Sequence, residues 1–335
     1  MPRMHLRKCF VLTAVIATTC LLIAFLTLHR DPTFDYERGV PAVDPELWEL
    51  LGPRPTSPKP PTTPPRPEIH LKQLPVSRFG DMNLNMTLKQ MEGIFFRYLE
   101  NKDVRCEKDQ RLGGMHDGGW NVCLSPPYVL GNPCIVFSFG IGYDWQFDDT
   151  VSQIYDCTVL AFDPSMTEPN EHLSTRIKFK AIGVGGQNEV REDGWQMKTL
   201  GQHLKDEGYW GVPVDYVKID IEYSEWAVLK TALREGSLQH VKQLGFEMHT
   251  RRLLHPGKRP RDEEKLDFVH MYETLRQLEI VGFRKFNYRK NPFGNYYSNH
   301  TGKERSCCYD LHYVNSDFFG DNMTVVHTRD SKMFH

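Results

Sequence analysis

The chain has very little net charge. Its 41 Lys and Arg residues nearly balance 43 Asp and Glu, leaving a formal charge of −2 over 335 residues. That balance lacks the basic footprint of a nucleic-acid binder, and no nucleic-acid partner is expected. No Cys-x-x-Cys pair occurs, so the spacing of a structural zinc site is missing and no metal is expected. Internal repeats are absent too. Beyond its N-terminal segments the chain keeps about 260 residues, enough for one large α/β domain.

One long apolar run is present. Phe10 to Leu28 is uncharged and almost wholly apolar, long enough to cross a bilayer core as a helix. Arg3, Arg7 and Lys8 precede it, so the positive-inside rule makes 1–9 a cytoplasmic tail and 10–28 a transmembrane signal anchor. No small-x-small site stands before His29-Arg30-Asp31. This favours an anchor over a cleaved signal peptide, the alternative that would release a secreted form. Prolines dominate 41–67, including Pro60-Pro61 and Pro64-Pro65; 29–74 therefore reads as a semi-rigid stalk. The layout is that of a single-pass type II membrane protein facing the lumen of the endoplasmic reticulum or Golgi. A cap segment, 75–133, leads into the main domain at 134–335.

Other features suit an oxidising lumen. Asn85, Asn299 and Asn322 each begin an Asn-x-Thr acceptor site for glycosylation. Cys106, Cys123, Cys134, Cys157, Cys307 and Cys308 form an even set beyond the anchor, expected to hold disulfides whose pairing sequence cannot choose. Cys157 abuts a buried strand and reads equally well as a free core thiol.

The most informative segment is Ile135 to Gly142, an apolar run entering a Gly-x-Gly turn. Phe147, Val151 and Ile154 then recur at helical spacing, and a second apolar run, Thr158 to Phe162, ends at Asp163. Strand, glycine turn, helix, strand and carboxylate is the order by which α/β proteins hold a nucleoside. Glycine lets the backbone approach a ligand without a Cβ, and the acid can accept from two ribose hydroxyls.

The alternation continues. Arg176 to Ile182 reads as a third strand, and Met197, Leu200 and Leu204 as a helix face ending at Gly208. Val214 to Ile221 is a fourth strand, with Asp220, Glu222 and Glu225 at or past its end. Trp226, Leu229 and Leu233 line a helix capped by Gly236. A fifth strand runs from about 241 to 248, with Glu247 and His249 at its tip. Phe268, Met271, Tyr272, Leu275 and Leu278 mark a long amphipathic helix closed by Gly282. Strands over 283–288 and 308–314 follow without an intervening helix and are expected to pair as an antiparallel hairpin at an edge. The fold class is α/β: a seven-stranded, mostly parallel Rossmann-like sheet, preceded by the transmembrane helix. Ligands of such sheets bind at the carboxyl ends of the strands. Gly140, Gly142, Asp163, Ile182, Asp220, Glu222, Glu247 and His249 all fall there.

These residues resemble the class I S-adenosylmethionine-dependent methyltransferases. Phe137-Ser-Phe-Gly-Ile-Gly142 looks like their first motif and Phe162-Asp163-Pro164 like their second-strand acid. Val217-Lys-Ile-Asp-Ile-Glu222-Tyr-Ser-Glu225 is similar to a run of FkbM-type methyltransferases, and about 105–320, with Asp117-Gly-Gly-Trp120-x-x-Cys123, resembles the methyltransferase-like protein 24 group. The resemblance makes 134–335 a methyltransferase-like domain with S-adenosylmethionine as cofactor. It implies Phe139, Gly140, Ile141 and Gly142 around the methionine part, Asp163 on the ribose and Ile182 beside the adenine. Asp220 and Glu222 would face the transferring methyl or the acceptor. Three positions depart from pattern: Ser138 replaces a common acid, Asp144 a third glycine, and Tyr223 the usual FkbM glycine.

Methyl transfer to a hydroxyl needs an in-line approach and a base. His249 has the better unperturbed pKa for that role, with Glu247 the other candidate. Read as alternating along their strand, the two point to opposite sides, so at most one is expected to face the site. The basic loop from Arg251 to Arg261 would lie over the same edge. The activity expected is O-methylation of a small or sugar-like acceptor. A type II glycosyltransferase, with Asp220 and Glu222 on Mn²⁺, and a catalytically inactive binding module are the alternatives.

Overall fold

The structure, a computed structural model, describes residues 79–131, 133–167, 174–250 and 260–319. The anchor, the stalk, Asn322 and the basic run from Arg251 to Arg259 lie outside them. Among the described residues no helix is long and apolar enough to cross a membrane.

Helix α1 (Leu88–Leu99) starts where Thr87 and Gln90 satisfy each other's backbone N–H groups in a capping box. A hairpin of β1 (Asp109–Gly113) and β2 (Gly119–Cys123) follows. Next come β3 (Ile135–Phe139), α2 (Gln146–Ile154), β4 (Thr158–Phe162) and β5 (Ile177–Lys180). A small sheet of β6 (Gly183–Val184), β7 (Glu189–Val190) and β8 (Gln196–Lys198) precedes α3 (Leu200–Asp206). Then follow β9 (Tyr216–Ile219), α4 (Glu225–Glu235), β10 (Gln243–His249), α5 (Arg261–Ile280) and β11 (Phe283–Lys290). The flap β12 (Asn295–Tyr297) and β13 (Glu304–Ser306) leads into β14 (Cys308–Asn315).

Seven strands form the central sheet in the order β11-β14-β10-β9-β3-β4-β5. β14 runs antiparallel to both its neighbours, while β10, β9, β3, β4 and β5 pair in parallel. The expected antiparallel pair at the edge is present. Its second strand is inserted between β11 and β10, so β11 is the edge.

Strand alternation sorts the two cores. Phe137 and Phe139 point to one face and stack with Phe162. Val136 points to the other, against Val151 and Phe147 of α2. Burying each of these Phe rings stabilises the fold by ~2 kcal/mol.

Four expectations on elements and cysteines need correction. The third strand ends at Lys180, leaving the half-buried Ile182 beyond it. Met197 lies on β8 and not on the helix, which begins only after the cap at Thr199. The fourth strand is shorter, Tyr216–Ile219. Cys157 is no free thiol: the disulfides are Cys106–Cys123, Cys134–Cys157 and Cys307–Cys308.

Candidate active site

The chain leaves β3 towards β4 and leaves β9 towards β10, in opposite directions across the sheet, although β3 and β9 are neighbours. Their carboxyl ends therefore open a crevice at a topological switch point.

One wall is the glycine turn. Gly140 has φ 76°, and a Cβ there would fall 1.6 Å from the Asp220 carbonyl oxygen. Its own carbonyl accepts a 2.6 Å bond from Lys218 Nζ. Gly142, at φ 56°, faces open space. Ile141 and Gly142 donate their N–H groups to Asp163 Oδ2 at 2.8 and 2.9 Å. Asp163 Oδ1 accepts from Ser165 N and Oγ at 2.8 and 2.6 Å. A carboxylate accepts about four such bonds, so Asp163 braces the turn here, and a ribose would have to displace Ser165. Phe139 reaches the site through its backbone alone. Its ring is fully buried between Phe162 and His203, and only its carbonyl reaches the site, accepting from Asp220 N. Ile141 likewise buries its side chain in the core and offers backbone alone. Asp148, buried at the start of α2, supplies an acid close to Ser138. Burial pushes its carboxyl up to about 6, with Lys218 pulling it down.

The opposite wall is ionic. His249 is buried, and its Nδ1 pairs with Glu225 Oε1 at 2.9 Å. Glu222 Oε2 and Glu247 Oε2 both lie 3.7 Å from its Nε2. Glu247 and His249 thus share a face, against the expectation that they oppose. They are two residues apart, and the side-chain period of a strand is two. Asn291 Nδ2 donates to Glu247 Oε1 at 2.7 Å, and Trp226 Nε1 donates to the His249 carbonyl at 2.8 Å. Glu225 starts α4 and is also the partner of the imidazole. Its contact with His249, like that of Asn291 with Glu247, joins residues from separate elements, and no local spacing signals it. The row continues through register partners Glu247, Asp310 and Arg289, with Arg111 3.5 Å from Asp310.

Crowded carboxylates hold protons tightly. Burial, then the charge of Glu247, pushes Asp220 up to about 8; burial raises Glu247 against the pull of His249. For His249 burial favours the neutral ring, but the Glu225 bond and the surrounding acids outweigh it and push the imidazole up to about 9. Both Asp220 and His249 bind protons more tightly folded than unfolded. Stability is therefore lost as pH rises through their folded values. Without added ligand, the melting temperature is expected to fall between pH 6.5 and 9, and to fall less in His249→Gln. A flat profile in the parent chain would contradict the pairing.

Glu222 and Tyr223 have φ of 52° and 78°, which side chains other than glycine rarely adopt. The strain sits where the turn presents the Glu222 carboxylate to His249. Glycine has no such penalty, so Tyr223→Gly is expected to leave stability unchanged or raise it by up to about 1 kcal/mol. Thermal unfolding checks this; a loss of more than that would mean the Tyr223 ring contributes packing that outweighs the strain.

A family model described as a methyltransferase domain matches residues 70–301. The chain belongs to that methyltransferase family. Its curated relatives include "Probable methyltransferase-like protein 24" of Rattus norvegicus, 26% identical over 239 residues, covering 66% of this chain and 64% of that protein. The Homo sapiens protein of the same name is 25% identical over the same shares. The chain thus spans about 64% of the length of the curated relatives it matches. Among solved structures, a Methanococcus jannaschii fibrillarin pre-rRNA processing protein overlaps 56% of this chain and 68% of its own, at 13% identity and a TM-score of 0.31. The methyltransferase family match displaces the glycosyltransferase alternative.

Proposed function

We propose that this methyltransferase moves a methyl group from S-adenosylmethionine to a hydroxyl of a small or sugar-like acceptor, on the lumenal side of a membrane that residues 10–28 anchor. The observation that carries the reading is the crevice between β3 and β9, with a nucleoside-type glycine turn on one wall and an imidazole among carboxylates on the other. The residues fit the cofactor: the open side of Gly142 admits close approach, and Asp220, Glu222 and Glu247 suit a cationic sulfonium. When bound, S-adenosylmethionine supplies an electrophilic methyl whose bonding pair stays with sulfur.

The chain supplies the rest. Gly140 and Gly142 hold the turn, Asp163 fixes its N–H groups, and Ile182 stands at the adenine end. The acceptor proton leaves to a carboxylate of the cluster, Glu222 Oε2 or Glu247 Oε2, each 3.7 Å from His249 Nε2. Cys106–Cys123 and Cys134–Cys157 and the exposed Asn85 and Asn299 support a lumenal setting.

Calorimetric titration of S-adenosylhomocysteine into the full-length chain, with Asp163→Ala alongside, tests the cofactor. Micromolar binding lost in the variant is expected. A folded chain that binds neither the product nor S-adenosylmethionine would leave the inactive-module alternative standing. For the compartment, endoglycosidase treatment should sharpen the gel band of the cell-made protein, and Asn85→Gln with Asn299→Gln should reduce that shift.

A further inference from the structure

We propose that Cys307–Cys308 is a thiol–disulfide exchange site, opened by a dithiol and leaving a Cys308 thiolate beside His249. The exchange does not depend on the methyl-transfer reading, although it takes place on the ionic wall of the same crevice.

The bridge joins consecutive residues, whereas Cys106–Cys123 and Cys134–Cys157 span 17 and 23 residues. A cross-link stabilises a fold mainly by closing a loop in the unfolded chain, worth roughly a factor of 100 for about 15 residues. Linkage returns the same factor to the bond, because folding then holds the two sulfurs together against reduction. Adjacent cysteines close no such loop. Cys307–Cys308 lacks that protection.

The surroundings decide which sulfur leaves. Donor atoms of Cys308, His249 and Glu247 lie within 4.8 Å of one another. The imidazole is cationic at neutral pH, its burial being outweighed by the Glu225 bond and the nearby acids. A thiol beside an imidazolium ionises below its ordinary range, and the thiol of lower pKa is the better leaving group. Glu247 opposes the thiolate, but burial raises its carboxyl and so reduces its charge. Cys308 is therefore the leaving sulfur and Cys307 the one attacked. Cys307 is also the more open, 6% exposed against 4% for Cys308. Gly294 packs on it: a Cβ there would fall 2.5 Å from Cys307 Sγ, so residue 294 places no side chain over the sulfur. The flap of β12 and β13 forms a sheet of its own, and its movement parts no strand of the central sheet. The N–H groups of Thr250 and Asn291 donate to the carbonyls of Cys307 and Cys308 at 2.8 and 3.0 Å. These bonds hold the pair on the central sheet in either redox state, so the disulfide can re-form.

In the exchange, one thiolate of the dithiol bonds to Cys307 Sγ. The Cys307–Cys308 bond breaks and its electron pair stays on Cys308 Sγ. The second thiolate of the reductant then attacks the mixed disulfide at the reductant's own sulfur, closing a disulfide there and releasing Cys307, which takes a proton. The dithiol gives up two electrons and two protons; the chain keeps both electrons and one proton, and the other proton goes to water. The new thiolate competes with Glu222 and Glu247, each 3.7 Å from His249 Nε2, for the charge of the imidazolium.

The test equilibrates the full-length chain with mixtures of reduced and oxidised dithiothreitol, alkylates the free thiols and locates them by mass spectrometry. Cys307 and Cys308 should be freed at a ratio of reduced to oxidised reagent about 100-fold lower than Cys106, Cys123, Cys134 and Cys157 require. With that bond alone opened, iodoacetamide at pH 7 should modify Cys308 about ten times faster in the parent chain than in His249→Gln. Three bonds that open together, or a Cys308 rate untouched by His249→Gln, overturn the proposal. The order of opening is read on the parent chain, so it decides the matter even where the variant fails to fold.

Discussion

Gly140→Ala is expected to abolish S-adenosylhomocysteine binding and to lower the melting temperature by about 5–15 °C. The new Cβ would lie 1.6 Å from the Asp220 carbonyl oxygen, and the residue is held at φ 76°. That oxygen and its carbonyl carbon, at 2.7 Å, both belong to backbone, so no rotamer change relieves the clash. Overpacking of this kind costs about 1–3 kcal/mol and the left-handed conformation a further 1–2. In a domain of this size each kcal/mol shifts melting by roughly 2–4 °C. The neighbouring Gly142→Ala is the control. Its φ is also positive, but no atom lies within 4 Å of the added carbon, so only the conformational penalty of about 1 kcal/mol applies. If the two variants melt alike, the close passage of the turn over the end of β9 is wrong.

The Glu225–His249 pair should give the other large effect. Once an acceptor is in hand, His249→Ala and Glu225→Gln should each lower kcat by about 10²–10⁴-fold, the range for losing a positioned proton-transfer group. Cofactor-product affinity should stay within a few-fold, because neither side chain touches the glycine turn. Stability separates the partners further. Glu225→Ala leaves a buried imidazole without its carboxylate and should cost about 3–5 kcal/mol. Adding His249→Ala in the same chain should return part of that loss, and a double-mutant cycle on denaturant unfolding measures how much. Strict additivity would show that the 2.9 Å contact carries no coupling.

The sequence made the frame readable because its signals are local. An apolar run, a glycine turn and a strand-end acid are neighbours along the chain, so β3, α2, β4 and Asp163 are legible in it. Likewise Gly236, at φ 73°, closes α4 as read. What stayed hidden depends on separate strands and helices meeting. Nothing between 225 and 249 announces that Glu225 turns back to His249, and nothing marks Asn291 as the donor to Glu247. The reading of Glu247 and His249 as opposed failed on strand periodicity itself. The ribose role of Asp163 was read from position, whereas the structure fills all its acceptor sites with the turn and Ser165. Met197 had helical spacing with Leu200 and Leu204, but the cap at Thr199 set the boundary.

The Cys134–Cys157 bridge lies at the amino ends of β3 and β4, on the edge of the sheet away from the crevice. It closes a loop of 23 residues that holds β3, the glycine turn and all of α2. Cross-linking such a loop removes disorder from the unfolded chain worth about 3 kcal/mol. The thiol chemistry of the surroundings thereby becomes a remote control on the cofactor wall. A chain synthesised where glutathione keeps thiols reduced would build the same strands yet hold Gly140 and Gly142 less firmly.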